Sequence, residues 1–220
     1  LRLFGYFPIS EIKDGGRLRA PLFAPFNWDV KWMMQKGIKP AGRVIRTGTA
    51  PQILVQQDYY RQEPFIKEKP VSVAVRWDDQ NLYVTFLFGN TTQKAVYNDQ
   101  IQVILGNGKK RMWFTGRARN GQTGVYERTI ASLDNKGNGD QYKGISGRNG
   151  IVVAPAPGAE GASAMIKIPW SVFGDKPAKG AEWEFNAVYG NPKEKYIWEY
   201  NLFQKTWRNL RDAAGKIVFD

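Results

Sequence analysis

A hairpin of alternating apolar residues within positions 71–88 constrains the fold of this chain more than any other segment. Apolar residues occupy every second position on both sides of a polar turn: Val71, Val73, Val75 and Trp77 before it, and Leu82, Val84, Phe86 and Phe88 after it. A period of two is typical of strands that bury one face. Residues 78–81 are Asp, Asp, Gln and Asn, which favour a turn by bonding their own backbone. The segment therefore predicts two antiparallel strands with one buried face.

Similar patterns along the rest of the chain predict an all-β protein, an antiparallel β-sandwich. In residues 100–105 the apolar side chains of Ile101, Val103 and Leu105 are predicted to face inward, with a turn at Asn107 and Gly108. Further strands are predicted at 112–118, 162–169, 182–189, 196–201 and 216–219, with a single helical turn at 170–174. Residues 134–150 are rich in Gly, Asn and Lys and are predicted to form an exposed loop.

The first 65 residues show no sustained period because six prolines interrupt them. They predict an irregular N-terminal arm, 1–65, that packs on a sandwich domain, 66–220. Within the arm, residues 28–36 fit a short helix with Asn27 as its N-cap and Gly37 as its stop. The arm is also the segment expected to dock the sandwich to a partner protein or a parent enzyme.

Composition excludes several classes of chemistry. The chain has no Cys and no His, which removes disulfides, thiolate nucleophiles, imidazole bases and imidazole ligands. Its apolar runs are well short of the roughly 18 residues that a transmembrane helix requires, so no membrane span is predicted. The net charge of +12 favours an anionic partner. Because this charge is scattered, with its densest cluster at Lys109, Lys110 and Arg111, no nucleic-acid partner is predicted.

Five motifs in the second part of the chain resemble, in their order and spacing, the family 9 carbohydrate-binding modules and the wider DOMON-like sandwiches. They occupy residues 77–84, residues 98–104, residues 166–170, residues 180–186, and finally 198 with 207 and 215–219. The resemblance implies a jelly-roll type sandwich that binds carbohydrate without catalysing a reaction. It also implies a secreted or periplasmic protein that holds an enzyme or a cell surface near a glycan, here an acidic one given the charge.

In sugar-binding members of this family, two aromatic side chains clamp the terminal sugar and polar side chains bind its hydroxyl groups. The ligand-binding residues that the resemblance implies here are Trp207, Tyr97, Arg208, Asn209, Gln102 and Arg117. The sequence departs from the family pattern at two places. Tyr97 is shifted by one residue, and Gln102 stands where an acidic contact is usual. The remaining tryptophans in the motifs suit core packing: Trp77, Trp170, Trp183 and Trp198.

Three alternatives stay open. More distantly, the chain resembles the b-haem gamma subunits of ethylbenzene dehydrogenase-like molybdenum oxidoreductases, which implies electron transfer with Met and Lys ligation. Met112 is then the first ligand to consider, although Ile104 occupies the place expected for a ligand Met. A second alternative is glycoside hydrolysis by paired carboxylates. The candidate carboxylates, none of which lies in a catalytic motif, are Glu182, Glu184, Glu194, Glu199, Asp78 and Asp79. The third is an assembly domain without a ligand.

A calcium site is a weaker alternative still. Residues 134–140 are similar to an oxygen-ligand calcium loop, but they lack the acidic residue at the third position and the Glu at the twelfth. A solvated turn is therefore preferred, and neither a metal nor another cofactor is predicted for the carbohydrate-binding interpretation.

Overall fold

A computed structural model of the chain describes residues 42–57, 71–89, 99–117, 122–130, 141–145, 150–159, 161–190, 195–199 and 215–220. These residues form two sheets with one 3-10 turn, Trp170–Val172, as predicted after the strand that ends at Pro169. The strands are β1 (Val44–Arg46), β2 (Gln52–Ile53), β3 (Val55–Gln57), β4 (Ser72–Trp77), β5 (Asn81–Leu87), β6 (Gln100–Gly106), β7 (Arg111–Arg117), β8 (Thr123–Ile130), β9 (Gln141–Gly144), β10 (Val152–Ala154), β11 (Ser163–Pro169), β12 (Glu182–Gly190), β13 (Lys195–Ile197) and β14 (Gly215–Val218). The predicted all-β sandwich is confirmed.

The smaller sheet has five strands in the order β10-β11-β5-β4-β2. Its centre is the predicted hairpin of β4 and β5, in which Val75 lies opposite Val84. The turn that joins these strands is fixed by Asp78, whose Oδ1 accepts the backbone N–H groups of Gln80 and Asn81 at 2.8 Å each. The turn at Asp78 and the alternation of apolar residues in β4 and β5 therefore specify the same pairing register.

The larger sheet runs β9-β8-β7-β6-β12 and then divides along the length of β12. Residues 182–185 of β12 pair with β14, and residues 188–190 pair with β13. The pairing is antiparallel except at β14, whose outer neighbour β1 runs parallel to it. On the other branch, β3 pairs with β13.

The core lies between the two sheets and follows from the alternation. The smaller sheet contributes Val73, Val75, Leu82, Val84, Phe86, Ile166 and Ile168, and the larger contributes Ile101, Val103, Leu105, Met112, Phe114, Phe185 and Ala187. At one end of the sandwich, Trp170 is buried and Trp77 and Trp183 pack against the core, as the sequence predicts. Phe219 lies among their rings, edge to face, with centroids 5.3 to 5.7 Å away.

A buried polar network joins the segment before β1 to the residues after β13. Arg43 donates its backbone N–H to Glu199 Oε2 at 2.8 Å and its Nη1 to the carbonyl of Trp198 at 2.5 Å. The Asn186 side chain exchanges two hydrogen bonds with the Glu199 backbone, at 3.1 and 2.9 Å. Glu199 and Trp198 are both 0% exposed, so this network closes one corner of the larger sheet.

Three expectations concern the parts of the chain that lack a sustained pattern. Residues 134–150 are not loop throughout, because β9 pairs with β8 there, and that part of the expectation was wrong. The domain boundary at residue 65 stays a prediction, although residues 42–57 on its arm side supply β1, β2 and β3. The predicted helix at 28–36 lies outside the described residues. No helix in the described ranges has the length and apolar character needed to cross a membrane.

Candidate functional site

The predicted ligand-binding residues divide into two groups. One group lies outside the described part of the chain, where a clamp role stays a prediction: Trp207, Tyr97, Arg208 and Asn209. The other two, Gln102 and Arg117, lie on the neighbouring strands β6 and β7. Gln102 lies opposite Thr115, and Arg117 lies opposite Gln100. Both therefore lie on the outward face of the larger sheet, away from the core.

An aromatic pair lies beside Gln102 on this outward face. Trp113 of β7 is directly opposite Tyr126 of β8, and their rings stack with centroids 4.6 Å apart and planes inclined by 27°. Both side chains are half-buried. The Trp113 indole Nε1–H donates to Gln102 Oε1 at 2.9 Å, so the amide of Gln102, which is 6% exposed, orients the tryptophan ring. Trp113 and Tyr126 are called the aromatic platform below.

Glycines make room for the Tyr126 ring. A Cβ at Gly124 would lie 2.8 Å from Tyr126 Cε2 and 2.8 Å from Thr115 Oγ1, which is too close for any real contact. On β9, a Cβ at Gly144 would lie 3.6 Å from Tyr126 Cε1, an ordinary van der Waals distance. Gly124 is therefore required for the position of the platform, whereas Gly144 is not.

The aromatic platform is absent from the residues that the family resemblance implies, but the sequence holds a signal for it. Asn120 and Gly121 form a dipeptide that favours a hairpin turn. A two-residue turn there would pair residue 113 with residue 128 and leave Tyr126 as its diagonal neighbour on the same face, two residues from the observed register. Because side chains alternate along a strand, Trp113 also shares a face with Arg117, four residues on.

An ion pair borders the platform on the side of the β6–β7 turn. Arg111 Nε lies 3.4 Å from Glu184 Oε2, although Arg111 and Glu184 are on β7 and β12 with β6 between them. Gly106 of β6 lies between the two, and a Cβ there would be 2.7 Å from Glu184 Oε2. The missing side chain at Gly106 lets the two charges approach across the strand.

The acidic residue that precedes β6 faces the other way. Asp99 is buried, and its carboxylate accepts a hydrogen bond from the hydroxyl of Tyr189. Burial raises the pKa of the Asp99 carboxyl above its ordinary value of 3.8, and the bond from Tyr189 acts in the opposite direction. The Tyr189 ring in turn lies 5.6 Å from that of Tyr196, whose pKa burial also raises. Asp99 therefore belongs to the interior and not to the outward face.

The carboxylates considered for hydrolysis have structural partners where they are described. Glu182 pairs with Lys216 at 2.7 Å, and Asp79 pairs with Lys176 at 2.5 Å. Asp78 accepts the Tyr83 hydroxyl at 2.8 Å besides its two turn bonds. Among the residues that the structure describes, no group of three or more His, Cys, Asp or Glu side chains could hold a metal ion. The calcium-like segment at 134–140 lies outside them.

Met112, the haem ligand of the electron-transfer alternative, lies on the inward face of β7 and is 0% exposed. It belongs to the core together with Phe114 and Leu105. A porphyrin bound to its sulfur would have to displace part of this core. The surroundings of Met112 therefore do not fit a haem without rearrangement, and haem binding stays a prediction.

Two solved structures similar to this chain are of a family 9 carbohydrate-binding module from Caldicellulosiruptor kristjanssonii. The one in complex with cellotriose is 12% identical, with a TM-score of 0.44 over 80% of this chain and 92% of that one. The one in complex with glucose is 13% identical, with a TM-score of 0.43 over 81% and 96%. No protein-family model and no curated protein matches the chain. At this identity and TM-score the likeness carries nothing about what this chain binds.

Proposed function

We propose that this protein is a noncatalytic carbohydrate-binding module whose ligand lies on the outward face of β6, β7 and β8. One observation carries the proposal: the stacked, half-buried Trp113 and Tyr126 lie on that face with Gln102 fixing the indole. Sugar rings present apolar C–H faces that stack on aromatic rings, while their hydroxyl groups need hydrogen-bond partners once dehydrated.

The polar groups around the aromatic platform have the chemistry that hydroxyl groups require. Arg117 is exposed farther along the same face of β7, and its planar guanidinium offers several N–H donors in a fixed geometry. Thr115 and Gln102 neighbour each other across the strands but are only 9% and 6% exposed. The main role of Gln102 in this proposal is therefore to hold Trp113, with little of its side chain open to the ligand.

The same proposal includes the parts that follow from the family resemblance. Trp207 and Tyr97, with Arg208 and Asn209, would clamp a terminal sugar, and the glycan would be acidic because the net charge is +12. The module would be secreted or periplasmic and would hold an enzyme or a cell surface near that glycan. Its N-terminal arm would dock a partner protein or a parent enzyme.

A glycan array followed by titration with the retained glycan tests this proposal. Trp113→Ala and Tyr126→Ala should each raise the Kd about tenfold or more, a change that corresponds to about 1.4 kcal/mol of lost stacking. Tyr83→Ala is the matched control, since Tyr83 is half-buried on the outer face of the other sheet. It should leave the Kd unchanged.

Two results would contradict the proposal in different ways. Retention of no glycan by the parent protein would reject carbohydrate binding altogether. If glycan is retained, and Trp207→Ala abolishes binding while Trp113→Ala and Tyr126→Ala do not, the clamp alone binds the ligand and the aromatic platform has no part in binding. Thermal unfolding of each variant shows whether a loss of binding reflects a loss of folding.

A further inference from the structure

The outward face that carries the aromatic platform is basic. In the described parts of β6 and β7, and in β8 as far as residue 128, the outward positions include three arginines and no carboxylate: Arg111, Arg117 and Arg128. The neighbouring carboxylate on β12, Glu184, is 3.4 Å from Arg111. Because that ion pair neutralises the Glu184 charge locally, the face as a whole stays positive.

The cations lie on both sides of the aromatic platform along the direction of β7. Arg117 follows Trp113 by four residues, which corresponds to about 13 Å along a strand. In the other direction, the exposed turn between β6 and β7 carries Lys109 and Lys110. The backbone N–H groups of both lysines bond to Asn107 Oδ1, at 3.0 and 2.8 Å. The turn is therefore fixed, and the distance from Lys110 to Arg117 along the chain is about 23 Å.

We infer that this face binds an internal stretch of a linear anionic glycan, one that bears carboxylate or sulfate groups along its length. The inference rests on the proposed function and names the ligand class of the same site. One sugar stacks on the aromatic platform, and anionic groups farther along the chain meet Arg117 on one side and Lys109 with Lys110 on the other. A single sugar ring is too short to reach both groups of cations, whereas a repeating polyanion has charges at each of them.

Arg111 has a different role from the other cations. It is 6% exposed, and its position across Gly106 from Glu184 makes it the counter-charge of that carboxylate. Arg111 is therefore a positioning residue that keeps negative charge away from an anionic ligand. Arg117, Lys109 and Lys110 are exposed, and these three are the residues that we expect to contact the ligand.

Affinity electrophoresis and calorimetry with three polymers test the inference: polygalacturonate, which carries carboxylates, dextran sulfate, and neutral dextran. The parent protein should bind at least one anionic polymer about tenfold or more tightly than dextran, at an ionic strength of about 0.15 M where nonspecific attraction is screened. Oligomers of the preferred polymer should bind more tightly as they lengthen, until they span the face.

Matched variants separate this site from the net charge of the protein. Arg117→Ala should weaken anionic binding several-fold, whereas Arg76→Ala, which removes an exposed arginine from the outer face of the smaller sheet, should not. The double variant Lys109→Ala/Lys110→Ala should also weaken binding several-fold. Its control, Lys167→Ala/Lys179→Ala, removes the same charge elsewhere.

The outcomes distinguish this inference from the proposed function. Equal binding of neutral and anionic polymers, with loss in Trp113→Ala, would overturn the anionic ligand and leave carbohydrate binding standing. Equal effects of Arg117→Ala and Arg76→Ala would show attraction by net charge and overturn the placement. Binding to short oligomers as tight as to the polymer would overturn the internal mode. Binding to none of the three polymers would overturn the inference itself, and the array result would then decide the proposed function.

Discussion

At the scale of single residues, the aromatic platform depends on a position without a side chain. In Gly124→Ala the new methyl group would lie 2.8 Å from Tyr126 Cε2, so the ring has to leave its present position against Trp113. We expect a loss of about 1–3 kcal/mol in the free energy of unfolding, as for other overpacked sites, and a several-fold weaker affinity for glycan. Tryptophan fluorescence, urea unfolding and glycan titration would measure these effects.

The control for that variant lies on the next strand. Gly144→Ala places its methyl group 3.6 Å from the same ring, an ordinary contact. It should change neither the fluorescence of Trp113 nor the affinity for glycan. Equal behaviour of the Gly124 and Gly144 variants would mean that the Tyr126 ring is not held in the position described above.

Asp99 and Asp78 should contribute to the pH dependence of stability with opposite signs. Burial raises the pKa of Asp99 above 3.8, so the folded protein keeps a proton that the unfolded chain has already lost. The stability that Asp99 contributes is present below pH 3.8 and is lost as the pH rises through the folded-state pKa. In Asp99→Asn, the free energy of unfolding should therefore increase relative to the parent as the pH rises above 3.8.

Asp78 supplies the comparison. The backbone N–H of Gln80, followed by the hydroxyl of Tyr83, lowers the pKa of Asp78 below 3.8. Its contribution to stability is present above pH 3.8 and is lost as the pH falls through the folded-state pKa. Asp78→Asn should therefore be less stable than the parent at neutral pH, with a difference that shrinks in acid. Urea unfolding at a series of pH values measures both variants against the parent. The assignment would be contradicted if the difference in unfolding free energy between variant and parent changed in the same direction with pH for both.

At the scale of elements, the two sheets approach each other where β7 faces β10. A Cβ at Gly116 of β7 would overlap with Val153 of β10. Gly116→Ala should therefore cost about 1–3 kcal/mol in the free energy of unfolding. In the double variant Gly116→Ala/Val153→Ala, the loss should be smaller than the sum of the two single losses, because the shortened valine makes room. Urea unfolding curves give these values, and simple additivity would contradict the contact.

Strands that bury one alternating face could be predicted from the sequence, since the period of two appears within a few residues. The hairpin of β4 and β5 and the inward residues of β6 are examples. Two of the strands that were not predicted, β1 and β9, have signals that do not appear locally: a distant partner in one case and a polar composition in the other. Val44–Arg46 pairs with β14, about 170 residues later in the chain, and polar Gln141–Gly144 is defined by its pairing with β8.

The candidate site shows the same division. Side chains alternate between the two faces in the adjacent strands β6 and β7. This alternation puts Gln102 and Arg117 on the same face, so their placement could be derived from the sequence. The family resemblance did not lead to Trp113 and Tyr126, because their contact depends on the register between β7 and β8. Only the observed pairing of the two strands shows which aromatic side chains meet.

At the scale of the whole molecule, residues 42–57 should be part of the cooperative unit. Ile45 is 1% exposed in the core, whereas its neighbour Val44 is 46% exposed. Ile45→Ala should therefore cost about 2–5 kcal/mol, and Val44→Ala should stay within about 0.5 kcal/mol of the parent. Urea unfolding compares the two, and equal small effects would show that β1 contributes little to the fold.

A shortened chain tests the same point on a larger scale. Residues 66–220 lack Arg43, Ile45 and the strands β1, β2 and β3, so the corner around Trp198 and Glu199 loses the groups that close it. This chain should unfold at a lower urea concentration than residues 42–220, with a smaller m-value. Equal urea midpoints for the two chains would instead mean that the sandwich domain begins at residue 66.

The parallel pairing of β1 with β14 has a mechanical consequence. Their paired residues lie at 44–46 and 216–218, near opposite ends of the described chain. Tension applied at residues 42 and 220 therefore pulls the two strands past each other along their length, so that their hydrogen bonds bear the load together. Tension across a hairpin breaks such bonds one after another. The protein should therefore withstand more force along this direction than through its hairpins, a difference in forced-unfolding rate that single-molecule pulling can measure and that would suit the proposed tethering function.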